Sequence, residues 1–334
     1  MTLREQMERE EYAVLAPEAQ KAAETKGRLY PREEDDVRTC YQRDADRIVH
    51  SKSFRRLMHK TQVFLAPEGD HYRTRMTHTL EVSRIARTIC RGLKLNCDLA
   101  EAAAYGHDLG HTPFGHAGEK ALSDMMGAPF RHNEQSLRVV DKLERGGTGL
   151  NLTYEVRMAI LGHTGTFIPE TLEGQIVRTS DRIAYINHDI DDAMRAGLLT
   201  ENDIPRKISD VLGTSHSERI GTLVSDMIYN TQQTGKLGMR PEIAQAMDAL
   251  RTFMFQRVYT NPVAKGEEVK AKDIIRRLFE YYSKDPNRLP ADFLPQLDFD
   301  GTDRIVCDYI AGMTDKYAIY NFSEIFIPTA WQVR

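Results

Sequence analysis

The stretch His107-Asp-Leu-Gly-His-Thr-Pro-Phe-Gly-His-Ala-Gly-Glu119 places three histidines and two carboxylates within thirteen residues. The alanine-rich segment 98–108 predicts a helix, and Gly110 should end it by a left-handed turn, because glycine lacks a Cβ atom. A second helix should follow and place His116 and Glu119 on one face, since residues three apart are neighbours on a helix. An imidazole beside a carboxylate can serve as acid and base near neutral pH. This density of titratable groups around glycines favours an active site over a structural helix junction.

The composition is that of an ordinary globular protein. Of the 334 residues, 41% are hydrophobic and 28% are charged, which is enough to form one large core or two modest ones. The formal net charge of −4 argues against a surface that coats nucleic acid throughout. The first residues lack the apolar centre of a signal peptide, and no apolar run reaches the length of a membrane span. We therefore expect a cytoplasmic protein that does not enter a membrane.

Helical periodicity dominates the chain. Amphipathic helices are predicted through most of it and strand signals are nearly absent, so the predicted fold class is all-α. One small β-hairpin is expected, with strands at 62–66 and 71–75 around a Pro-Glu-Gly-Asp turn at 67–70. The predicted divisions are a charged N-terminal arm over 1–36, a catalytic core over 37–197 and a C-terminal helical region over 198–334, packed on the core as one globular unit.

Two further predicted helices carry residues that fit the same site. A helix over 76–93 places His78 on its buried stripe, where a lone histidine is more often a hydrogen-bonded core residue than a ligand. A long and largely apolar helix over 173–197 carries Asp181, Tyr185 and two more polar residues at helical spacing. Buried carboxylates cost several kcal/mol unless they are paired or bound to a metal. This polar line therefore either faces water or binds a cation or a polar ligand.

Several segments resemble the HD-domain metal phosphohydrolases and, more narrowly, their deoxyguanosine triphosphate triphosphohydrolase branch. They are the segments 54–64, 75–78, 107–119 and 179–185, and the helix over 308–317 is similar to that branch as well. The resemblance runs from about residue 40 to residue 320. It implies an HD-domain helical bundle and a metal-dependent hydrolase. The metal ligands that it implies are His78, His107, Asp108 and Asp181.

The same resemblance implies a reaction and a set of roles. In that family, water attacks the α-phosphorus of a deoxynucleoside triphosphate and yields a deoxynucleoside and inorganic triphosphate. His116, oriented by Glu119, would act in proton transfer. The residues expected to bind substrate are Arg75, His111 and His132 at the phosphates, Gln62 and Tyr185 at the deoxyribose, and Asp189, which would fix the tyrosine hydroxyl.

The ligand types suit a divalent ion. Two imidazoles and two carboxylates fit Mn²⁺, Fe²⁺, Ni²⁺, Zn²⁺ or, less selectively, Mg²⁺, and such an ion polarises a phosphoryl oxygen. Two alternatives keep these ligands. Another HD-domain nucleotide phosphodiesterase or phosphatase would release a monophosphate, which the segment 112–119 disfavours, and a non-enzymatic nucleotide sensor would not need His116 and Glu119. A homo-oligomer is expected, while single-stranded DNA or a nucleotide as effector, and dGTP or any dNTP as substrate, stay open.

Overall fold

The chain folds as a bundle of helices. A computed structural model describes residues 1–62, 73–259 and 262–328, and over these residues the fold is all-α, as the sequence predicts. The helices are α1 (Leu3–Val14), α2 (Cys40–Val49), α3 (Lys52–Arg56), α4 (Arg75–Gly92), α5 (Cys97–Gly106), α6 (His116–Met126), α7 (His132–Arg138), α8 (Glu144–Gly147), α9 (Tyr154–Gly162), α10 (Leu172–Arg195), α11 (Arg206–Leu212), α12 (His216–Thr234), α13 (Pro241–Met254), α14 (Pro262–Lys284), α15 (Leu297–Asp300), α16 (Thr302–Ala311) and α17 (Asp315–Phe326). Short 3-10 turns lie at Ala22–Glu24, Leu57–His59, Glu201–Asp203, Pro286–Arg288 and Leu294–Gln296, and π turns at Val139–Leu143 and Phe255–Tyr259.

The predicted β-hairpin is not seen. Its turn, residues 63–66 of the first strand and residues 71–72 of the second lie outside the described residues, and at their edge Thr61 and Thr74 form one isolated antiparallel bridge. Arg75, predicted to end the second strand, instead begins α4. The cause is local, because the Thr74 hydroxyl accepts a hydrogen bond from the Thr77 backbone N–H and so caps the first turn of a helix.

The α5 helix lies between α4, α9 and α10, against which it packs. Asn96 caps its N-terminus by accepting hydrogen bonds from the backbone N–H groups of Asp98 and Leu99. Its alanines, Ala103 and Ala104 among them, are fully buried, and short side chains let neighbouring helices approach closely. The residues that follow α5 are therefore surrounded by other helices.

Apolar stripes hold α4 and α10 against this centre. On α4 the buried residues include Val82, Ile85 and Ile89, as predicted, and on α10 they include Ile183 and Ile190. Burying one such side chain contributes roughly 1.5–3 kcal/mol. Both helices carry predicted ligands, and the stripes fix the positions of these helices relative to the end of α5.

A second apolar cluster joins the C-terminal helices to α6. Leu122 of α6 packs with Ile275 of α14 and Ile310 of α16. As a result α16 and the first residue of α17 lie beside the loop that leads into α6. The three-part division of the chain stays a prediction. Within the described ranges, no helix combines the length and the apolar character that crossing a membrane requires.

Candidate metal centre and active site

The four predicted metal ligands come together from three parts of the bundle. His78 lies on α4, Asp181 lies on α10, and His107 and Asp108 directly follow α5. The His78 Nε2 atom is 3.1 Å from Asp181 Oδ1, and His107 Nε2 is 3.3 Å from Asp108 Oδ1 and 3.8 Å from Asp181 Oδ1. Ligand atoms of His78, His107 and Asp108 all lie within 4.8 Å of one another. This spacing suits three ligands that share one cation.

The hydrogen bonds of His107 direct one nitrogen into this cluster. Its Nδ1–H donates to the Ala104 carbonyl at 2.6 Å, so its Nε2 atom keeps the lone pair that a metal needs. That Nε2 atom is buried and has no hydrogen-bond partner within the described part of the chain. A buried polar atom without a partner is costly, and a cation at the cluster would satisfy it. The residues present therefore fit a divalent ion.

The carboxylates of the cluster are held in their charged form. Burial disfavours charge on Asp108, but His107, His111 and Arg75 outweigh it and hold its pKa well below the usual range. Burial acts in the same direction on Asp181, yet the hydrogen bond with His78 and the nearby His107 lower its pKa to about 2. Both groups are thus deprotonated at neutral pH, as metal ligands must be.

Arg75 contacts the group of predicted metal ligands directly. Its Nη1 atom donates to Asp108 Oδ2 at 3.0 Å, and both side chains are buried. Its Nε atom has no hydrogen-bond partner among the described residues. An Asp108 carboxylate that also faces a cation benefits from this second positive charge, and the fork of donors on Arg75 remains suited to a phosphate.

A second group of titratable residues adjoins the first through His111. The His111 Nε2 atom is 3.1 Å from Asp108 Oδ1, and its Nδ1 atom is 3.2 Å from Glu119 Oε1. Glu119 Oε1 also lies 2.8 Å from His132 Nδ1, and Glu119 Oε2 lies 3.6 Å from His116 Nδ1. The ring of His132 stacks on that of His111 at 3.9 Å. The predicted acid/base pair and both predicted phosphate histidines therefore surround one carboxylate.

The environment separates the protonation states of these groups. Burial works against charge on Glu119, but the adjoining imidazoles of His111, His116 and His132 hold its pKa well below the usual range. Burial, followed by the charge of Arg75, lowers the pKa of His111 to about 4. The Glu119 carboxylate raises the pKa of His116. The His116 side chain is 89% exposed, so it is the member of this group that a substrate can reach from solvent.

His163 belongs to the same cluster, although it is not among the site residues predicted from the sequence. Its Nδ1–H donates to the Ile160 carbonyl at 2.7 Å, and its Nε2 atom lies 3.1 Å from His132 Nε2. Its ring lies 5.0 Å from that of His107. His163 directly follows α9, as His107 follows α5, and each ring binds the carbonyl three residues earlier. This shared position at the end of a helix is the feature of the sequence that could have identified His163 as a site residue.

Gly110 is required by a close backbone contact and not by a left-handed turn. The α5 helix already ends at Gly106, and Gly110 is absent from the described residues with positive φ. A Cβ atom at Gly110 would lie 2.2 Å from the Ser136 backbone N and 2.5 Å from the His132 carbonyl O. The Ser136 hydroxyl accepts a hydrogen bond from Gly110 N–H and donates one to the His107 carbonyl. The predicted left-handed exit is wrong, and the glycine instead lets α7 approach the turn at residues 107–110, here called the HD turn.

The remaining predicted substrate residues lie at the margin of these clusters. Tyr185 is partly buried against the central apolar cluster, one helical turn beyond Asp181 on α10, and Asp189 is buried one turn further on. The Gln62 side chain carries a buried Oε1 atom without a hydrogen-bond partner in the described ranges. Their roles toward a deoxyribose stay predictions.

The C-terminal half of the polar line on α10 is buried and does not face solvent. His188 and Asp192 are 1% and 2% exposed. The Nδ1 atom of His188 lies 3.1 Å from Glu81 Oε2 on α4, and the Arg73 guanidinium donates to Asp192 Oδ1 at 3.3 Å. The amphipathic alternative, in which this face meets solvent, is therefore wrong for these residues, because a neighbouring helix and an arginine cover it.

The all-α bundle, which gathers histidines and aspartates at a helix end, is that of an HD-domain phosphohydrolase. The HD domain matches residues 75–186 and the phosphohydrolase-associated domain matches residues 237–324. The chain is 53% identical to a deoxyguanosinetriphosphate triphosphohydrolase-like protein of Caldanaerobacter subterraneus, covering 99% of this chain and 98% of that protein. A protein of the same description from Clostridium tetani is 48% identical, with 98% and 97% covered. The chain therefore belongs to the family of deoxyguanosinetriphosphate triphosphohydrolase-like proteins.

The fold is shared with a solved phosphohydrolase. The crystal structure of a phosphohydrolase from Bacteroides thetaiotaomicron matches 84% of this chain and 67% of its own, with a TM-score of 0.52 and 19% identity. At this identity the similarity concerns the fold alone.

Proposed function

We propose that the protein hydrolyses deoxynucleoside triphosphates to a deoxynucleoside and inorganic triphosphate in a metal-dependent reaction. The observation that carries this proposal is the direct contact between the two clusters, in which His111 lies within 3.1 Å of Asp108 and within 3.2 Å of Glu119. Groups suited to hold a cation thus adjoin groups suited to bind phosphate and move protons. The family relationship supports the same substrate class.

In this proposal His78, His107, Asp108 and Asp181 hold a divalent ion, which would offset charge on a phosphoryl oxygen. Mn²⁺, Fe²⁺, Ni²⁺, Zn²⁺ and Mg²⁺ are all compatible with two imidazoles and two carboxylates. Arg75, His111 and His132 bind the phosphates, because the Arg75 guanidinium and the stacked rings of His111 and His132 adjoin the predicted metal ligands. A guanidinium and imidazoles can stabilise the negative charge that develops on phosphate oxygens in the transition state.

His116 supplies the proton that the departing 5′-oxygen of the deoxynucleoside needs. Its Nδ1 atom faces Glu119 Oε2 at 3.6 Å, which leaves Nε2 for the substrate. Because Glu119 raises the pKa of His116, the ring is a suitable acid near neutral pH. General acid help of this kind is worth about 10²- to 10⁴-fold in rate. Gln62, Tyr185 and Asp189 are proposed to contact or support the contact with the deoxyribose.

Product analysis tests the reaction. Each dNTP, with GTP for comparison, is incubated with the purified protein and Mn²⁺ or Mg²⁺, and the products are separated by anion exchange. Equal amounts of deoxynucleoside and triphosphate are expected, and in ¹⁸O-water the label should enter the triphosphate because water attacks the α-phosphorus. Release of a monophosphate would favour another nucleotide phosphodiesterase, and binding without turnover would favour a sensor.

A cytoplasmic location, a homo-oligomer, and single-stranded DNA or a nucleotide as effector remain part of the proposal. Size determination of the wild-type protein with and without dGTP would test the assembly. Adding single-stranded DNA to the product assay would test that effector.

A further inference from the structure

The loop between Asp108 and α6 carries His111 and leads directly to His116, and it is bound to two segments that are distant from it in the sequence. The Phe114 backbone N–H donates to Asp315 Oδ1 at 3.0 Å. The other oxygen of Asp315 accepts hydrogen bonds from the Thr61 backbone N–H at 3.0 Å and from the Thr61 hydroxyl. Asp315 is 4% exposed and is the first residue of α17. One buried carboxylate therefore joins three distant segments.

Lys60 makes a second connection beside the first. Its ammonium group donates to the His111 carbonyl and, at 2.9 Å, to the Ala311 carbonyl. Lys60 is 3% exposed, so these two carbonyls accept the hydrogen bonds that water would accept from an exposed lysine. The last residue of α16 and the loop thus share one donor. The loop is held at His111 by Lys60 and at Phe114 by Asp315.

The backbone between these two contacts adopts a conformation that needs support. Phe114 has φ of +63° and Gly115 has φ of +55°. Positive φ is uncommon for residues other than glycine, and it persists where surrounding structure fixes it. The Phe114 ring is buried in the cluster of Leu122 and Ile275, and its N–H is bound by Asp315. We call these two residues of positive φ the reversal. It leads directly into His116, the first residue of α6.

We infer that Asp315 is a positioning residue, which fixes the reversal at Phe114 and thereby the direction of His116 toward Glu119. The role in catalysis rests on the proposed function of His116, whereas the role in ordering the loop does not. Asp315 lies in the region matched by the phosphohydrolase-associated domain. That region thus contributes to the geometry of the site and does more than cover α6.

Asp315→Asn is the central variant, because it keeps the size of the side chain and replaces one acceptor oxygen by a donor. At least one of the contacts to Phe114 and Thr61 must then be lost. Hydrogen exchange in peptides over 109–116 should quicken about tenfold or more, since hydrogen bonds to charged groups are the stronger ones. Turnover should fall roughly 10- to 100-fold, since displacements near 1 Å can cost that much, while metal content stays unchanged.

Two comparisons separate positioning from general damage. Asp303→Asn changes an aspartate in the first turn of α16 whose contact is an exposed one with Ser283, and it should alter neither exchange in the loop nor turnover. Thr61→Val removes only the hydroxyl donor, and combined with Asp315→Asn it should be no worse than Asp315→Asn alone. Exchange in α5 should remain slow in every variant.

Unchanged exchange over 109–116 in Asp315→Ala, which removes both acceptor oxygens, would overturn the inference, whatever the activity. So would a loss of turnover that comes with loss of metal or with faster exchange throughout the bundle. If the wild-type protein does not hydrolyse dNTPs, the proposed function fails, but the exchange measurement still decides whether Asp315 orders the loop.

Discussion

Adding one methyl group at Gly110 should disrupt the site, although alanine suits the backbone there. Gly110 lies outside the left-handed region, so the change introduces no conformational strain. The obstacle is space, because the new Cβ atom would lie 2.2 Å from the Ser136 backbone N, 2.5 Å from the Gln135 carbonyl C and 2.5 Å from the His132 carbonyl O. All three are main-chain atoms of α7, which cannot turn aside as the end of a side chain can.

The size of the effect follows from these distances. Real Cβ atoms keep at least 3.0 Å from such neighbours, so the HD turn and α7 must separate by about 0.8 Å or more. Overpacking of a well-packed interior costs typically 1–3 kcal/mol, and contact with three backbone atoms places Gly110→Ala near about 3 kcal/mol. At roughly 2 °C per kcal/mol for a large domain, Tm should fall by about 6 °C. A shift approaching 1 Å between His111 and His132 should also lower turnover about 100-fold.

Calorimetry and dNTP turnover measure these two effects, with Gly221→Ala as the control. Gly221 lies in α12, without positive φ and with no atom within 4 Å of a Cβ position. Alanine there should stabilise the protein by about 0.5–1 kcal/mol, since glycine loses more conformational freedom on folding. If Gly110→Ala raised Tm as Gly221→Ala does, the close approach of α7 would not be what requires the glycine.

Three further predictions concern the proposed chemistry. Removing any one predicted metal ligand should abolish bound metal, measured by elemental analysis, and nearly all activity, because an incomplete ligand set and an unpaired neighbour remain. The variants are His78→Ala, His107→Ala, Asp108→Ala and Asp181→Ala, and normal metal content in one of them would remove that residue from the set. His116→Ala should lower kcat roughly 10²- to 10⁴-fold while calorimetric titration still detects nucleotide binding; lost affinity at an unchanged bound-state rate would make His116 a binding residue. Tyr185→Ala should weaken the preference for dGTP over GTP, because a 2′-hydroxyl buried against the ring without a partner costs about 1–3 kcal/mol, or roughly tenfold to a hundredfold. An unchanged ratio of kcat/KM with a lower Tm would show that Tyr185 is a core aromatic.

The parts of the site that could be predicted depend on local rules. The spacing of His116 and Glu119 follows from helical periodicity, and the structure places them on the first turn of α6. The stripe that buries His78 on α4 also follows from periodicity. The convergence of His78 with Asp181, however, depends on how α4 and α10 pack, and the sequence suggested it through the resemblance to a family.

What could not be predicted depends on contacts between distant segments. The sequence predicts a left-handed turn at Gly110. The structure instead requires a glycine there because Ser136 on another helix lies too close for a side chain. His163 shows no unusual pattern in its own segment, and its partners His107 and His132 lie in other parts of the chain. The segment that ends at Arg75 alternates like a strand, but Thr74 is a helix cap in the structure. Local sequence cannot report such neighbours.

The contact between Phe114 and Asp315 has a consequence for the protein during its synthesis. His78, His107, Asp108 and Asp181 have all been made about 130 residues before Asp315 is added. At about 5–20 residues per second, this interval lasts roughly 7–26 s. For that time the growing chain contains all four candidate metal ligands, while the loop before α6 still lacks the carboxylate that holds it. A product that stopped short of residue 315 would contain all four candidate metal ligands and His116, but it would lack the carboxylate that accepts the hydrogen bond from Phe114.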